Sequence, residues 1–290
     1  MLSILIPTYN CPCLDLVKSL QGQCASVRSL EWEIVVADDG STDAASVAAN
    51  EAINTLPCCR YIIREENVGR AAIRNFLASE AKYEWLLFLD SDVEIRRHDF
   101  ISQYLNACAD YDLVCGRYDL PATSESLLRN LRYRYERSYI SRHSVSVRNL
   151  HPFQSLSTAN FLIRRSVMLA HPFNEVIRRY GYEDVLLGKS LAHSHARVLH
   201  IDNPVTLRSF DTNADYLSKV EASLITLRDI HDDIHGYSLL LHYADLPFVS
   251  SIMKCFYHIF KPLLHKNLCG NSPSLLLFRF YKLGYYLSLK

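Results

Sequence analysis

The chain reads as an α/β fold: a mostly parallel sheet with helices on both faces, followed by a helical C-terminal extension. Three observations predict it. Short runs rich in Ile, Val and Leu recur at Leu2–Ile6, Glu33–Ala37, Arg60–Arg64 and Trp85–Leu89. Each is too short for a helix, and near-continuous apolarity suits strands covered on both faces. Segments of helical period lie between them, marked by Leu14, Val17 and Leu20, then Val47 and Ile53, then Ala72, Phe76, Leu77 and Ala81. Finally, 290 residues of 49% hydrophobic content suffice to bury a large core. The βαβαβαβ order implies a sheet whose ligands bind outside the carboxyl ends of its strands.

The opening decapeptide has no basic stretch and only a few apolar residues, so it is expected to be the first strand and not a signal peptide or anchor. Past Val114 the rhythm loosens into the Arg- and Tyr-rich stretch Arg129–Arg142. A strand is expected at Asn160–Ile163, a helix from Glu183 to His193, a strand at Arg197–Ile201, and a helix over 213–231 with Tyr216, Leu217, Val220, Leu224 and Leu227 as one stripe. This half is expected to complete the sheet and shape an acceptor site, giving a catalytic domain over 1–235 and an extension over 236–290. No run reaches the ~18 apolar residues of a membrane-spanning helix.

Basic and acidic residues balance at 31 each, which leaves no whole-chain argument for nucleic acid as a partner. The nine cysteines are odd in number and lack the C-x-x-C pairs of a zinc site, which fits a reduced, cytoplasmic compartment. Charge is local instead. From Leu246 to Lys290 there are six basic residues and no acidic one, interleaved with aromatics such as Phe248, Phe256, Tyr257 and Phe260. Ile252, Phe256, Ile259 and Leu263 fall on one helical face. Two readings stand: an interfacial segment on an anionic membrane at the inner face, or a C-terminal helical hairpin packed on the catalytic domain.

The chemistry lies at the strand ends. The first strand delivers Pro7-Thr8-Tyr9-Asn10, the second Asp38-Asp39-Gly40-Ser41, the third leads to Asn67-Val68-Gly69-Arg70, and the fourth ends in Asp90-Ser91-Asp92. Carboxylates closing an apolar strand must meet water, a cation or a helix terminus. Residues two apart in extended chain face the same way, so Asp90 and Asp92 can share a hard cation, Mn2+ or Mg2+, bridging to phosphate oxygens. Taken singly, each motif also reads as a solvated or capping turn. Their order at successive strand ends argues otherwise.

The series ILIPTYN, VVADDGSTD, ENVGRAAIRN, FLDSDV and YGYEDVLLG resembles family 2 glycosyltransferases of the GT-A fold over about two-thirds of the chain. The resemblance implies inverting transfer of a sugar from a nucleoside-diphosphate donor, commonly uridine-linked, to a hydroxyl of a glycan or lipid-linked acceptor, in cell-surface polysaccharide or glycolipid synthesis. It implies that Pro7, Thr8, Tyr9 and Asp39 hold the nucleotide with Asp38 beside them. Arg74 is an implied contact to ribose or diphosphate and Asn160 to a sugar; Arg70, whose guanidinium can fork onto phosphate oxygens, is either the next such contact or an exposed helix-surface arginine. Asp184 is the implied base, supported by Glu183, and His200 is either a third metal ligand beside Asp90 and Asp92 or a structural histidine. The sequence departs from the family where Ile73 replaces the Ala of Ala-Arg-Asn, and where Pro204–Arg208 carries no further histidine. Two other readings are an idle nucleotide-sugar-binding subunit, which the intact Asp90, Asp92 and Asp184 oppose, and a nucleotidyltransferase, which lacks its Gly-rich phosphate loop here.

Overall fold

A computed structural model describes residues 1–234 and 237–290, without the side chains at 143 and 247–249. The boundary expected between 235 and 236, and the side chain of Phe248, lie outside the described residues. The chain divides into two compact units, one of Met1–Pro121, His143–Arg178 and Glu183–Ser209, the other of Ala122–Arg142, Arg179–Tyr182 and Phe210–Lys290.

The first unit holds one sheet. Its strands among the described residues are β1 (Leu2–Thr8), β2 (Trp32–Asp38), β3 (Cys59–Ile63), β4 (Trp85–Leu89), β5 (Val93–Glu94), β6 (Leu113–Asp119), β7 (Asn160–Arg164) and β8 (Val198–Leu207), in the spatial order β3-β2-β1-β4-β7-β6-β8-β5. The four strands read from apolar runs pair parallel with one another. β7 runs antiparallel to β4 and β6, while β8 is parallel to β6, so the carboxyl ends of β1, β2, β3, β4, β6 and β8 share one edge.

Simple lengths show that this sheet curls. Four strand spacings of about 4.8 Å separate β4 from β5 in a flat sheet, roughly 19 Å, yet the four steps from Leu89 to Val93 reach at most about 14 Å. Asp90-Ser91-Asp92 therefore spans the mouth of the curl. β5 pairs with the end of β8, Val93 opposite Leu207, and the N–H of Arg208 donates to the carbonyl of Asp92 at 2.9 Å.

The apolar positions of β1, β2, β4, β6 and β7 pack against two helices, Arg70–Glu80 through Ala71, Ile73, Leu77 and Ala78, and Glu183–His193 through Leu187 and Leu191. Phe88 and Phe161, opposite each other in register, stack with centroids 4.9 Å apart. The N-terminal ends of both helices are thereby brought to the carboxyl edge, where their charged residues meet.

The second unit is helical. Its helix Asn213–Asp229 buries Tyr216, Leu217, Val220, Leu224 and Leu227, the stripe read from sequence, and Thr212 caps it. Pro247–Cys269 and Leu275–Ser288 form an antiparallel pair in which Gly284 lies against Tyr257 and the Tyr281 hydroxyl donates to Glu221. These two helices form a hairpin within this unit. Ile252, Ile259 and Leu263 nonetheless stay more than half exposed, at 53%, 64% and 63%.

Candidate active site

The loops after β1 and β2 are tied together by Asn10. Its backbone N–H donates to Ser41 Oγ, and its Oδ1 accepts from the N–H groups of Thr42 and Asp43. Gly40 has φ +73, and a Cβ there would meet the backbone of Glu66 and Asn67 at 2.7 Å, so only glycine closes this turn against the third loop. Asp38, fully buried, accepts from Tyr61 Oη at 2.5 Å and from the N–H of Ser41 at 2.7 Å. Asp39 turns the other way and takes the N–H groups of Val68 and Gly69 at 2.9 and 3.0 Å. Burial pushes its carboxyl above the usual range, against those two donors. Of the expected nucleotide contacts Thr8 is buried, its hydroxyl donating to the carbonyl of Cys11, while Tyr9 is 46% exposed at the mouth of its loop.

Arg70 and Arg74, one turn apart on their helix, converge on carboxylates from two other elements. Arg74 Nη2 lies 2.6 Å from one oxygen of Asp90 and Arg70 Nη2 lies 3.2 Å from the other. Arg70 Nε also donates to Glu183 at 3.0 Å, linking residues 113 apart in sequence. Burial opposes ionisation of Asp90, but the two guanidinium groups outweigh it and hold the carboxyl below its ordinary value. Arg74 itself is 1% exposed. These arginines, expected at the donor, are thus engaged in the protein's own ion network, with Arg70 at its open side.

Asp184 follows Glu183 in the first turn of its helix, where helix-terminal N–H groups favour a negative charge. Its carboxylate accepts from the N–H of Val185 at 2.8 Å. Burial, then repulsion from Glu183, pushes its carboxyl up to about 7.

The site does not gather two of the expected residues. Both ring nitrogens of His200 are engaged: Nε2 faces the carbonyl of Pro152 at 2.8 Å and Nδ1 faces Arg148 Nη1 at 2.9 Å. Burial, reinforced by the Arg148 charge, pushes the imidazole down to about 4. It lies near the start of β8, away from the carboxyl edge, and has no lone pair left for a metal. Asn160 is 1% exposed, its Oδ1 accepting from Tyr104 and its Nδ2 donating to the carbonyls of Arg117 and Asn203, which knits β7 to β6 and β8. A buried carboxamide so engaged has its hydrogen-bonding capacity met within the sheet.

Arg208 has no role among the expectations drawn from the sequence. Strand β8 runs to Leu207, six residues past its expected end, and places Arg208 beside Asp92. The guanidinium makes no ion pair or hydrogen bond among the described residues, and its charge, like that of Asp92, is felt at the Cys11 thiol. The polar run Asp202-Asn203-Pro204 hides the strand from an apolar-run reading, and an irregularity in the β6–β8 pairing absorbs it. A cavity of about 590 Å³ lies at the third loop, lined by Arg64, Glu66, Asn67, Phe76, Glu175 and Arg178. None of Asp38, Asp90, Asp92 or Asp184 is among its lining residues.

No group of three His, Cys, Asp or Glu side chains able to hold a metal occurs among the described residues. Asp90 is held by two guanidinium groups, and Asp92 closes the same Asp-Ser-Asp segment. Carboxylate oxygens of this kind suit a hard divalent ion, which Asp92 would hold.

A curled sheet with nucleotide-type loops at its carboxyl edge, an Asp-Ser-Asp crossing the mouth and a raised carboxyl opposite defines a GT-A-type transferase. The glycosyl transferase family 2 model matches residues 3–184. The chain belongs to glycosyltransferase family 2. A teichoic acid poly(glycerol phosphate) polymerase of Staphylococcus epidermidis is 26% identical over 189 residues, covering 62% of this chain but only 24% of the polymerase. An uncharacterized glycosyltransferase of Haemophilus influenzae is 24% identical over 200 residues, 61% of this chain and 79% of that protein. Among solved structures, the mannosyltransferase PcManGT from Pyrobaculum calidifontis in complex with GDP-Man and Mn2+ has TM-score 0.63 at 15% identity, covering 99% of this chain and 84% of that one. S. aureus TarS 1-349 in complex with UDP-GlcNAc has TM-score 0.51 at 17% identity, covering 98% and 90%. These likenesses establish the GT-A fold.

Proposed function

We propose that the chain transfers a sugar from a nucleoside-diphosphate donor, UDP-linked, to an acceptor hydroxyl with inversion at the anomeric carbon. The observation that carries this reading is the raised carboxyl of Asp184 on the same edge as Asp92 and the nucleotide-type loops. Pro7, Thr8, Tyr9 and Asp39 are on the nucleotide side, with the buried Asp38 fixing the turn beside them. In the reaction Asp184 takes the acceptor proton, the acceptor oxygen forms the new bond to the anomeric carbon, and the bond to the diphosphate oxygen breaks with its electron pair leaving on the diphosphate. Arg208 supplies a fixed positive charge for that departing group. Mn2+ or Mg2+, held through Asp92, when bound supplies Lewis-acid neutralisation of the same charge. Glu183, through Arg70, positions the helix that carries Asp184.

The exposed apolar residues Ile252, Ile259 and Leu263, with Lys254, Lys261 and Lys266 on the same helix and no acidic residue after Asp245, support a place at the anionic inner face of a membrane, where a lipid-linked or growing polysaccharide acceptor is at hand. No helix among the described residues is long and apolar enough to cross one.

The test is a pair of variants read for donor affinity and turnover separately. Asp184→Asn keeps donor binding and loses about 10²–10⁴ in turnover, whereas Asp92→Asn loses both. Normal turnover by Asp184→Asn would remove it as the base; loss of donor binding equal to that of Asp92→Asn would move it into the donor site.

A further inference from the structure

In the helical unit, four arginines lie between Arg129 and Arg137. Two are neutralised by carboxylates, Arg129 by Glu125 one turn earlier and Arg132 by Asp211 at 3.7 Å. The other two, Arg134 and Arg137 on helix Leu131–Tyr139, line a groove of about 730 Å³ together with Thr123, Leu128, Ser138 and Leu275. No carboxylate lines it. Arg134 is half-buried, and its guanidinium makes no hydrogen bond or ion pair among the described residues. Arg137 donates to the uncharged hydroxyl of Thr123 at 3.0 Å.

Partial withdrawal of a guanidinium from water without a counter-ion is unfavourable, so a concavity with two of them favours an anion. Their planar donor forks match phosphate oxygens in pairs. Beside the hydroxyls of Thr123 and Ser138, the lining is apolar, with Leu275 and Leu128, the latter 45% exposed. The helix Leu275–Ser288 that supplies this wall has no acidic residue, so it adds only positive charge. Cationic and greasy surfaces meeting in one groove suit an amphiphile.

We propose that this groove binds the phosphate head of an anionic lipid, with Arg134 and Arg137 on the phosphate and Leu128 and Leu275 against the start of the lipid chain. The inference rests on the membrane-facing reading of this unit and deepens it, assigning the phosphate contacts to arginines outside the basic tail.

The experiment is co-sedimentation of the full chain with phosphatidylcholine vesicles, with and without phosphatidylglycerol. It compares wild type, Arg134→Gln/Arg137→Gln, Arg134→Lys/Arg137→Lys and the tail variant Lys254→Gln/Lys261→Gln/Lys266→Gln, with circular dichroism confirming the fold of each. Each basic residue at an anionic surface contributes about 1 kcal/mol, so the glutamine pair is expected to weaken binding on the order of thirtyfold. The lysine pair, which keeps charge but lacks the fork, recovers only part of this. Excess inorganic phosphate, lacking the apolar part, leaves wild-type binding to vesicles in place at matched ionic strength. If wild type ignores anionic vesicles, the membrane reading and this inference fall together. If wild type binds and the glutamine pair binds equally well while the tail variant does not, the membrane reading stands and the groove assignment is overturned. Full recovery by the lysine pair would mean diffuse attraction, and displacement by phosphate alone a soluble-anion site; either result overturns the lipid assignment.

Discussion

Asp184 is a carboxyl kept ready to take a proton near neutral pH. Burial raises it to about 7, Glu183 adds repulsion, and the N–H of Val185 offsets only part of this. With ionised Asp184 as the base, kcat/KM rises with pH through about 7 and levels above it; a profile flat across that range would speak against the assignment. The same shift couples to folding. The unfolded chain releases this proton near 3.8 and the folded chain near 7, so the stabilising term is complete below the first value and is lost as pH rises through the second. Asp184→Asn has no proton to release, and its urea midpoint is expected to fall less between pH 5 and pH 8 than that of the wild type. Arg74 presents the opposite case, a buried cation between Asp90 and Glu183. Arg74→Gln leaves those carboxylates short of charge and is expected to cost roughly 3–5 kcal/mol in chemical denaturation. A loss below about 1 kcal/mol would mean that Arg70 alone sustains the network.

At the scale of elements, two glycines in helices make opposite predictions. Gly22, in helix Leu14–Ser26, has nothing within 4 Å of an added Cβ, so Gly22→Ala gains helix propensity and is expected to stabilise by about 0.5–1 kcal/mol. Gly284 sits where its helix crosses Tyr257, whose Cβ would lie 2.5 Å from the new methyl. A Cβ cannot swing aside as a side-chain end can. Overpacking of about 1–3 kcal/mol there outweighs the propensity gain, and Gly284→Ala is expected to lower the melting temperature. If both substitutions stabilise, the close crossing of the two helices is wrong. Strand β8 carries a parallel lesson. Its polar middle lies on no apolar run, and pairing with β6 on one side and β5 on the other extends it to Leu207. The helix Leu131–Tyr139 was equally silent in sequence because it buries only Leu131 and Tyr133 and relies on Asn130 as its cap.

For the whole molecule, the apolar core lies beneath the site and does not depend on a metal. Chelation is therefore expected to weaken donor binding and stop transfer while leaving the circular dichroism spectrum and the melting temperature of the donor-free protein unchanged. Unfolding on chelation would point to a structural ion instead. Adding a bound donor together with Mn2+ should raise stability by about 2.7 kcal/mol at a hundredfold excess over its dissociation constant. A thermal-shift comparison of UDP-linked and GDP-linked sugars then distinguishes the proposed uridine donor from a guanosine one.

The alternation of strands and helices, and the delivery of Asp38, Asp39, Asp90 and Asp92 to successive strand ends, were determined by the sequence alone. Local periodicity and short apolar runs encode them within a few residues. Tertiary structure decided what these carboxylates meet: Asp90 closed by two arginines, Asp38 by Tyr61 and the N–H of Ser41, Asp39 satisfied by backbone N–H groups. It also decided that His200 and Asn160 serve buried networks, and that residues 122–142 join the C-terminal helices. Contacts between residues as distant as Arg70 and Glu183 depend on how the sheet curls and which helices pack upon it. That information resides in no local pattern, because each such contact is set by the sum of packing across the fold.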